Sequence, residues 1–320
     1  MRHPATGRGA ALRRPAYTLI ELLVVLAIIA VLASLTTAAA MMMISSQHER
    51  STKFTMRQIE GERKKHWDAV IQSALKENMD APDNAGAGAT IRQLAGGDEK
   101  RARVMYVKFR LKQEFPTSFA EALNPAPLPP KKNYVKYLSN LGVTTGSAQT
   151  QNYESAACLY MAMSEGTSGV KTNLDQLNVG VKSFGANGQI KALVDDWGNP
   201  LLFARWPTGD TTLDALTPLQ KTKTRDLQDP EGLLINNNWW STATGAPNPN
   251  RVTFEQNAHT LTKPDASGQP QPHEYYMIPV LVSAGRDGKL GILPQDYKTL
   301  TVTTPADAKD NIYSYNLERE

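Results

Sequence analysis

Residues Tyr17 to Leu35 read YTLIELLVVLAIIAVLASL, an apolar run interrupted near its start by one acid, Glu21. Burying an ionised carboxylate in hydrocarbon is costly, so an acid in such a segment implies a function and a partner. The partner of matching charge is an amine. A cut between Ala16 and Tyr17 would create an α-amino group four residues from Glu21, and the same group on an adjacent subunit could neutralise it. Beyond Glu21, the stretch from Leu22 to Ile44 is broken only by Ser34, Thr36, Thr37 and the small residues Ala38, Ala39 and Ala40. A helix of about 23 residues covers roughly 34 Å, enough for one crossing of a hydrocarbon core about 30 Å thick.

The charge balance follows from the same segment. The formal net charge is +4 and the pI about 9.0, but Arg2, Arg8, Arg13 and Arg14 all lie in an acid-free leader. Without them the remaining basic residues match the 31 acidic ones, so the positive excess is a targeting signal. It places the leader on the cytoplasmic side and residues beyond Ile44 on the other. Nucleic acid is disfavoured as a partner, because Arg63-Lys64-Lys65 and the stretch from Lys100 to Lys112 are interleaved with or flanked by Glu60, Glu62 and Glu99 and read as solvated helix faces. An ordinary secretory signal cleaved at Ala38-Ala39-Ala40 is the competing reading. It leaves Glu21 unexplained.

The order of basic leader, aromatic residue, Thr18-Leu19-Ile20-Glu21-Leu22 and continuous apolar helix resembles the amino-terminal signal of type IV pilins and type II secretion pseudopilins. The motif covers about a tenth of the chain, and it departs from the family in having Ala16 where Gly usually precedes the cut. Alanine is the smallest side-chain substitute, so cleavage is expected to survive. The resemblance implies that a prepilin peptidase removes residues 1–16, that Tyr17 is N-methylated, and that Glu21 sets the assembly register against the Tyr17 amine of the subunit below. It also implies a single-pass protein of the bacterial inner membrane, with a cytoplasmic leader and a periplasmic or extracellular head. Its partners would be itself, other pilin or pseudopilin subunits, the inner-membrane assembly platform and membrane lipid, and it would enter a filament on assembly.

The expected organisation is a leader at 1–16, a long helix over 17–79 whose transmembrane part is about 19–44, and a head over 80–320 with a loop insertion at about 208–272. Gly61 marks a bend or break in the long helix. Residues 81–97, rich in Gly, Ala, Asp and Asn, read as a flexible connection, and helix resumes at Asp98 until Phe115-Pro116. A short helix follows Ser118, in a Phe115-Pro116-Thr117-Ser118 phrase resembling one found after the long helix of many pseudopilins. Beyond a proline-rich hinge at 125–130 comes a helix near 153–164, then strands at 201–205, 277–282 and 299–303. The insertion is expected to hold one or two elements of its own. The fold class is α+β, a long helix packed on a small antiparallel sheet, with insertions. Cys158 is the single cysteine, so no intrachain disulfide exists, and its surroundings read as a buried helix.

Two phrases resemble turns in major pseudopilin heads. Asp196, Trp197, Gly198, Asn199 and Pro200, preceded by Asp195, form a structural turn motif in which Gly198 permits positive φ and Pro200 starts the next strand without a donor. Ser283-Ala284-Gly285-Arg286-Asp287-Gly288 is the second, and in that family such a loop holds calcium. Asp287 would supply a carboxylate and Asp296 a second one. A plain hairpin stays open as the alternative, favoured by the positive charge of Arg286. Catalytic spacings are missing: the histidines are scattered, no nucleophile-elbow or phosphate-loop motif is present, and no enzyme is expected. Asn236-Asn237-Asn238-Trp239-Trp240 reads as a sugar platform if exposed and as core if buried. These residues describe a structural subunit of a pseudopilus or pilus-like filament, with a minor or tip position suited to the long head. The alternative from another class is an extracytoplasmic binding protein or enzyme that uses the helix only as a tether. Mass spectrometry of the mature protein is expected to find Tyr17 at the amino terminus; a start at Met41 would support the secretory signal instead.

Overall fold

The computed structural model describes residues 18–144, 152–166, 172, 174–177, 179–185, 188–216, 225–241, 246–292 and 299–317. The chain separates into two units, Met1–Gln47 and His48–Glu320. Helix α1, Leu19–Lys76, supplies the described part of the first and opens the second. It is continuous through Gly61, where no break occurs.

In the first unit every described side chain from Thr18 to Ile44 is exposed, which is the state of a helix long and apolar enough to cross a membrane. Its hydroxyls are satisfied within the helix. Ser34 donates to the Val31 carbonyl at 2.8 Å, Thr36 to that of Leu32 at 3.0 Å, and Thr37 to that of Ala33 at 2.8 Å. Such bonds to the preceding turn make a polar side chain tolerable in hydrocarbon.

In the second unit α1 buries one stripe, Thr52, Met56, Ile59, Arg63, Trp67, Val70 and Ala74, at the three-and-four spacing of a one-sided helix. Trp67 meets Phe115 with ring centroids 5.3 Å apart and Trp206 at 6.5 Å. Residues 81–97 are an ordered part of the core, contrary to the flexible connection their composition implies. A 3₁₀ turn at Pro82–Asn84 leads into α2, Ala87–Leu94, and Ile91 is fully buried. Asn84 donates to the Met79 carbonyl at 3.1 Å and to the Tyr106 hydroxyl at 3.1 Å. Gly88 is needed because a Cβ there would stand 2.5 Å from the Met79 carbonyl oxygen.

Helix α3, Glu99–Glu114, is capped by Asp98, which accepts the Arg101 N–H at 3.0 Å, and ends before Pro116. It is followed by α4 (Phe119–Leu123), α5 (Lys132–Asn140) and α6 (Glu154–Glu165), the last carrying the fully buried Cys158. The basic residues from Arg101 to Lys112 are not a solvated face. Arg101 donates to the carbonyls of Ala95 and Leu233, Lys108 pairs with Asp226 at 2.7 Å without exposure, and Lys112 donates to the Ala126 carbonyl. Tertiary partners from later in the chain turn them inward.

The strands among the described residues are short. Strands β1 (Val181–Phe184) and β2 (Ile190–Leu193) form an antiparallel hairpin. Strand β3 (Leu202–Ala204) joins an antiparallel sheet of order β3-β6-β7 with β6 (Val280–Ser283) and β7 (Ile312–Tyr313). Helix α6 packs on β2 and β3. Residues 299–303 contribute only a bridge, Val302 to Ile292; the third strand is β7, whose partner register on β6 could not be read from so short a segment. The insertion is richer than expected. It holds α7 (Thr211–Asp214), α8 (Asn237–Trp240), α9 (Pro249–Asn257) and a hairpin of β4 (Thr262–Pro264) and β5 (Pro270–Pro272). Trp239 is buried and donates its indole N–H to the Leu94 carbonyl at 2.9 Å, while Phe254 packs on Phe109. A terminal helix α10, Ser314–Leu317, closes the order.

Arg205 and Glu121 tie β3 to α4 through a buried bidentate pair at 2.8 and 2.9 Å. Burial alone would push Glu121 up, but the Arg205 guanidinium, Lys112 and the Thr117 N–H hold it down at about 2. A depressed folded-state value contributes stability above the ordinary glutamate range, and that stability is lost as pH falls toward the folded value. The expected loss is on the order of 3 kcal/mol between about pH 5 and about pH 2. Glu121→Gln, which strands the buried guanidinium, is expected to cost roughly 3–5 kcal/mol at neutral pH in denaturant unfolding and to lack this acid limb.

Candidate functional site

Two places carry the residues singled out by the sequence, one on each unit. On the first, Ala16 and Tyr17 lie outside the described residues, and Glu21 sits in the first turn of α1. Its Oε2 accepts the Thr18 N–H at 2.8 Å and the Thr18 hydroxyl at 2.9 Å, while Thr18 Oγ1 accepts the Glu21 N–H at 3.3 Å. Thr18 and Glu21 thus form a reciprocal capping box. A helix leaves its first four N–H groups without partners, and in hydrocarbon no water can supply them. Glu21 therefore answers a backbone need of its own helix, a role separate from the intersubunit charge expected of it. The Thr-x-x-Glu spacing was the available signal for this second role.

On the second unit, the two turn phrases meet. Asp195, not Asp196, closes the first: its Oδ1 accepts the Trp197 N–H at 3.1 Å and the Asn199 N–H at 2.8 Å. Its Oδ2 accepts the Ser283 hydroxyl at 2.7 Å, and Ser283 Oγ in turn accepts the Gly285 N–H at 3.1 Å. Asn199 crosses the same gap by donating to the Gly285 carbonyl at 3.2 Å. Gly198 has φ +84°, the left-handed conformation the turn requires, and Pro200 bridges to Val194. Burial pushes the Asp195 carboxyl above the usual range, opposed by its donors from Ser283, Asn199 and Trp197.

Asp196 points the other way, onto α1. Its carboxylate bonds His48 Nδ1 and accepts the Ser51 hydroxyl at 3.0 Å, and its N–H donates to Thr52 Oγ1 at 3.1 Å. The Trp197 ring lies 5.8 Å from that of His48. The aspartate pair thus has divided labour: one carboxylate joins the two turns and the other docks them on the helix. Trp197 packs partly buried against the core, between turn and helix.

The second loop is closed by a carboxylate the sequence did not single out. Asp310 Oδ2 accepts the N–H groups of Arg286 at 2.9 Å and Asp287 at 3.2 Å, and Asp287 Oδ1 accepts the Lys289 N–H at 2.8 Å. Asp296 lies outside the described residues. Calcium takes six to eight oxygens, and the oxygens seen here are directed at N–H donors. Among the described residues no three His, Cys, Asp or Glu side chains gather around a point.

A family model described as the prokaryotic N-terminal methylation motif matches residues 13–37. The chain carries this prepilin-type signal, which implies processing by a prepilin peptidase and assembly with pilin-type subunits. No curated protein and no solved structure matches the chain.

Asp195→Ala leaves two N–H groups and a hydroxyl without an acceptor and is expected to cost roughly 2–4 kcal/mol in denaturant unfolding. Asp196→Ala removes half-exposed bonds and is expected to cost under about 1 kcal/mol. The reverse order would show that the turn is held by its contact with α1.

Proposed function

We propose that this protein is a structural, non-enzymatic subunit of a type II secretion pseudopilus or type IV pilus-like filament. Its apolar helix is stored in the inner membrane and, after removal of the leader, packs with neighbouring subunits. The observation that carries this reading is the methylation motif at residues 13–37 on a helix whose described apolar side chains are all exposed from Leu19 to Ile44. Lipid is as apolar as leucine, so little hydrophobic force drives such helices together and a fixed charge can decide register. Glu21 supplies that charge, and the mature amine of Tyr17 on the subunit below receives it. The tethered sugar-binding alternative loses its motivating residues, since Trp239 is buried and Trp240 lies half-buried under Arg251 at 4.2 Å.

Capping and charge can be separated experimentally. Glu21→Gln keeps an oxygen for the Thr18 N–H but removes the charge, whereas Glu21→Ala removes both. Both variants are expected to insert in the membrane and both to lose incorporation into sheared filament fractions. Normal incorporation of Glu21→Gln would overturn the charge pairing and leave Glu21 as a helix cap.

A further inference from the structure

Within the insertion lies an open cavity of about 460 Å³ with no part in the assembly reading. Its lining includes Thr211 and Asp214 of α7, Arg225, Lys263 of β4 and His273, which follows β5. Asp214 is nearly buried, and three cationic or potentially cationic groups converge on it. Lys263 Nζ lies 3.0 Å and His273 Nε2 2.9 Å from Oδ2, and Arg225 Nη1 lies 3.4 Å from Oδ1. Burial opposes ionisation of Asp214, but the bonds from Lys263 and His273 and the charge of Arg225 hold its carboxyl below the usual range.

Among the described residues of its lining, the cations outnumber the acids. Lys263 and Arg225 bring two full positive charges against one carboxylate, before any proton on His273 is added. Asp214 is the acid of the lining among the described residues. Of the acids just outside the lining, Glu255 is engaged by Arg251 at 2.7 Å and by the Leu261 N–H at 2.7 Å, and Glu274 accepts the backbone N–H groups of Arg225 and Asp226. Like charges held around one small anion repel, and a second anion relieves that repulsion. Both cations keep access to solvent, with side-chain exposures of 47% for Lys263 and 32% for Arg225. An ammonium beside a planar guanidinium is a donor set suited to phosphate oxygens, and the Thr211 hydroxyl adds a neutral donor.

We propose that this cavity binds a tetrahedral oxyanion, a phosphate or sulfate group free or at the end of a monoester, held by Lys263, Arg225 and Thr211 while Asp214 fixes the two cations in place. The carboxylate orients the cations and the oxyanion completes their neutralisation.

The test uses the full chain in a neutral detergent and a phosphate-free buffer. Inorganic phosphate, glycerol phosphate and sodium chloride are titrated at matched ionic strength, with binding heat and Tm as readouts. Saturable binding of phosphate beyond any chloride effect is expected, with a rise in Tm. Equal binding of glycerol phosphate would place a monoester in the site, and binding of inorganic phosphate alone would restrict it to the free ion. Lys263→Met is expected to weaken binding about tenfold or more, read against the Tm of the same variant without phosphate, which falls because the nearly buried Asp214 loses a bond. Lys263→Arg should restore binding, and Lys100→Met, which loses an exposed pair with Glu231 elsewhere, should leave it unchanged. Absence of saturable binding by either phosphate compound, or undiminished binding in Lys263→Met, would overturn the proposal.

Discussion

One helix changes character along its length, from an apolar stretch able to cross a membrane to a one-sided stretch, and the rest of the molecule follows from that change. Over Leu19 to Ile44 the described side chains of α1 are exposed all round, and from Thr52 onward a single stripe is buried. A helix that crosses a membrane must satisfy every polar group locally, because hydrocarbon offers no hydrogen bonds. Thr18 and Glu21 close the helix start, and Ser34, Thr36 and Thr37 bond back to the preceding turn. In the second stretch the same 3.6-residue repeat becomes one-sided, since water on the outer face tolerates Lys64, Lys65 and Asp68 while the inner face must meet a core.

The head replaces covalent staples with buried polar bonds. Cys158 is the one cysteine in the chain, so no disulfide within it can join distant segments. Lys108 with Asp226, Lys131 with Glu114, and Arg205 with Glu121 instead connect residues 17 to 118 positions apart. Ion pairs of this kind repay their desolvation only in a narrow geometry, so what they fix is which segments lie against each other more than the total stability. The Asp195–Ser283 bond acts in the same way at the end of the sheet, where it joins the turn before β3 to the residue that ends β6.

Much of the local structure was legible in the sequence. Asp98 and Ser118 announced helix starts, Pro116 a stop, and Gly198 a turn with positive φ. The errors share a physical origin. Residues 81–97 resemble a linker because Gly and Ala carry no strong pattern, yet Gly88 permits close approach to Met79 and Ile91 finds a core. The charges from Arg101 to Lys112 look solvated because the groups that draw them inward, Asp226 and the Leu233 and Ala126 carbonyls, lie far along the chain. Of the two adjacent aspartates, sequence reasoning favoured Asp196, while burial and Ser283 make Asp195 the anchor.

The amino-acid sequence by itself determined the membrane-length helix, its acid and its leader, because hydrophobic length and charge order act along the chain and need no distant partner. It also determined the main caps and turns, whose hydrogen bonds span four residues or fewer. Only the tertiary structure decided that the two turn phrases form one knot, that Asp310 closes the second loop, and that Lys263 and His273 face Asp214. Those pairings join residues tens of positions apart. Their partners are chosen by which buried groups lack a hydrogen bond once the core has closed, and local sequence does not encode that condition.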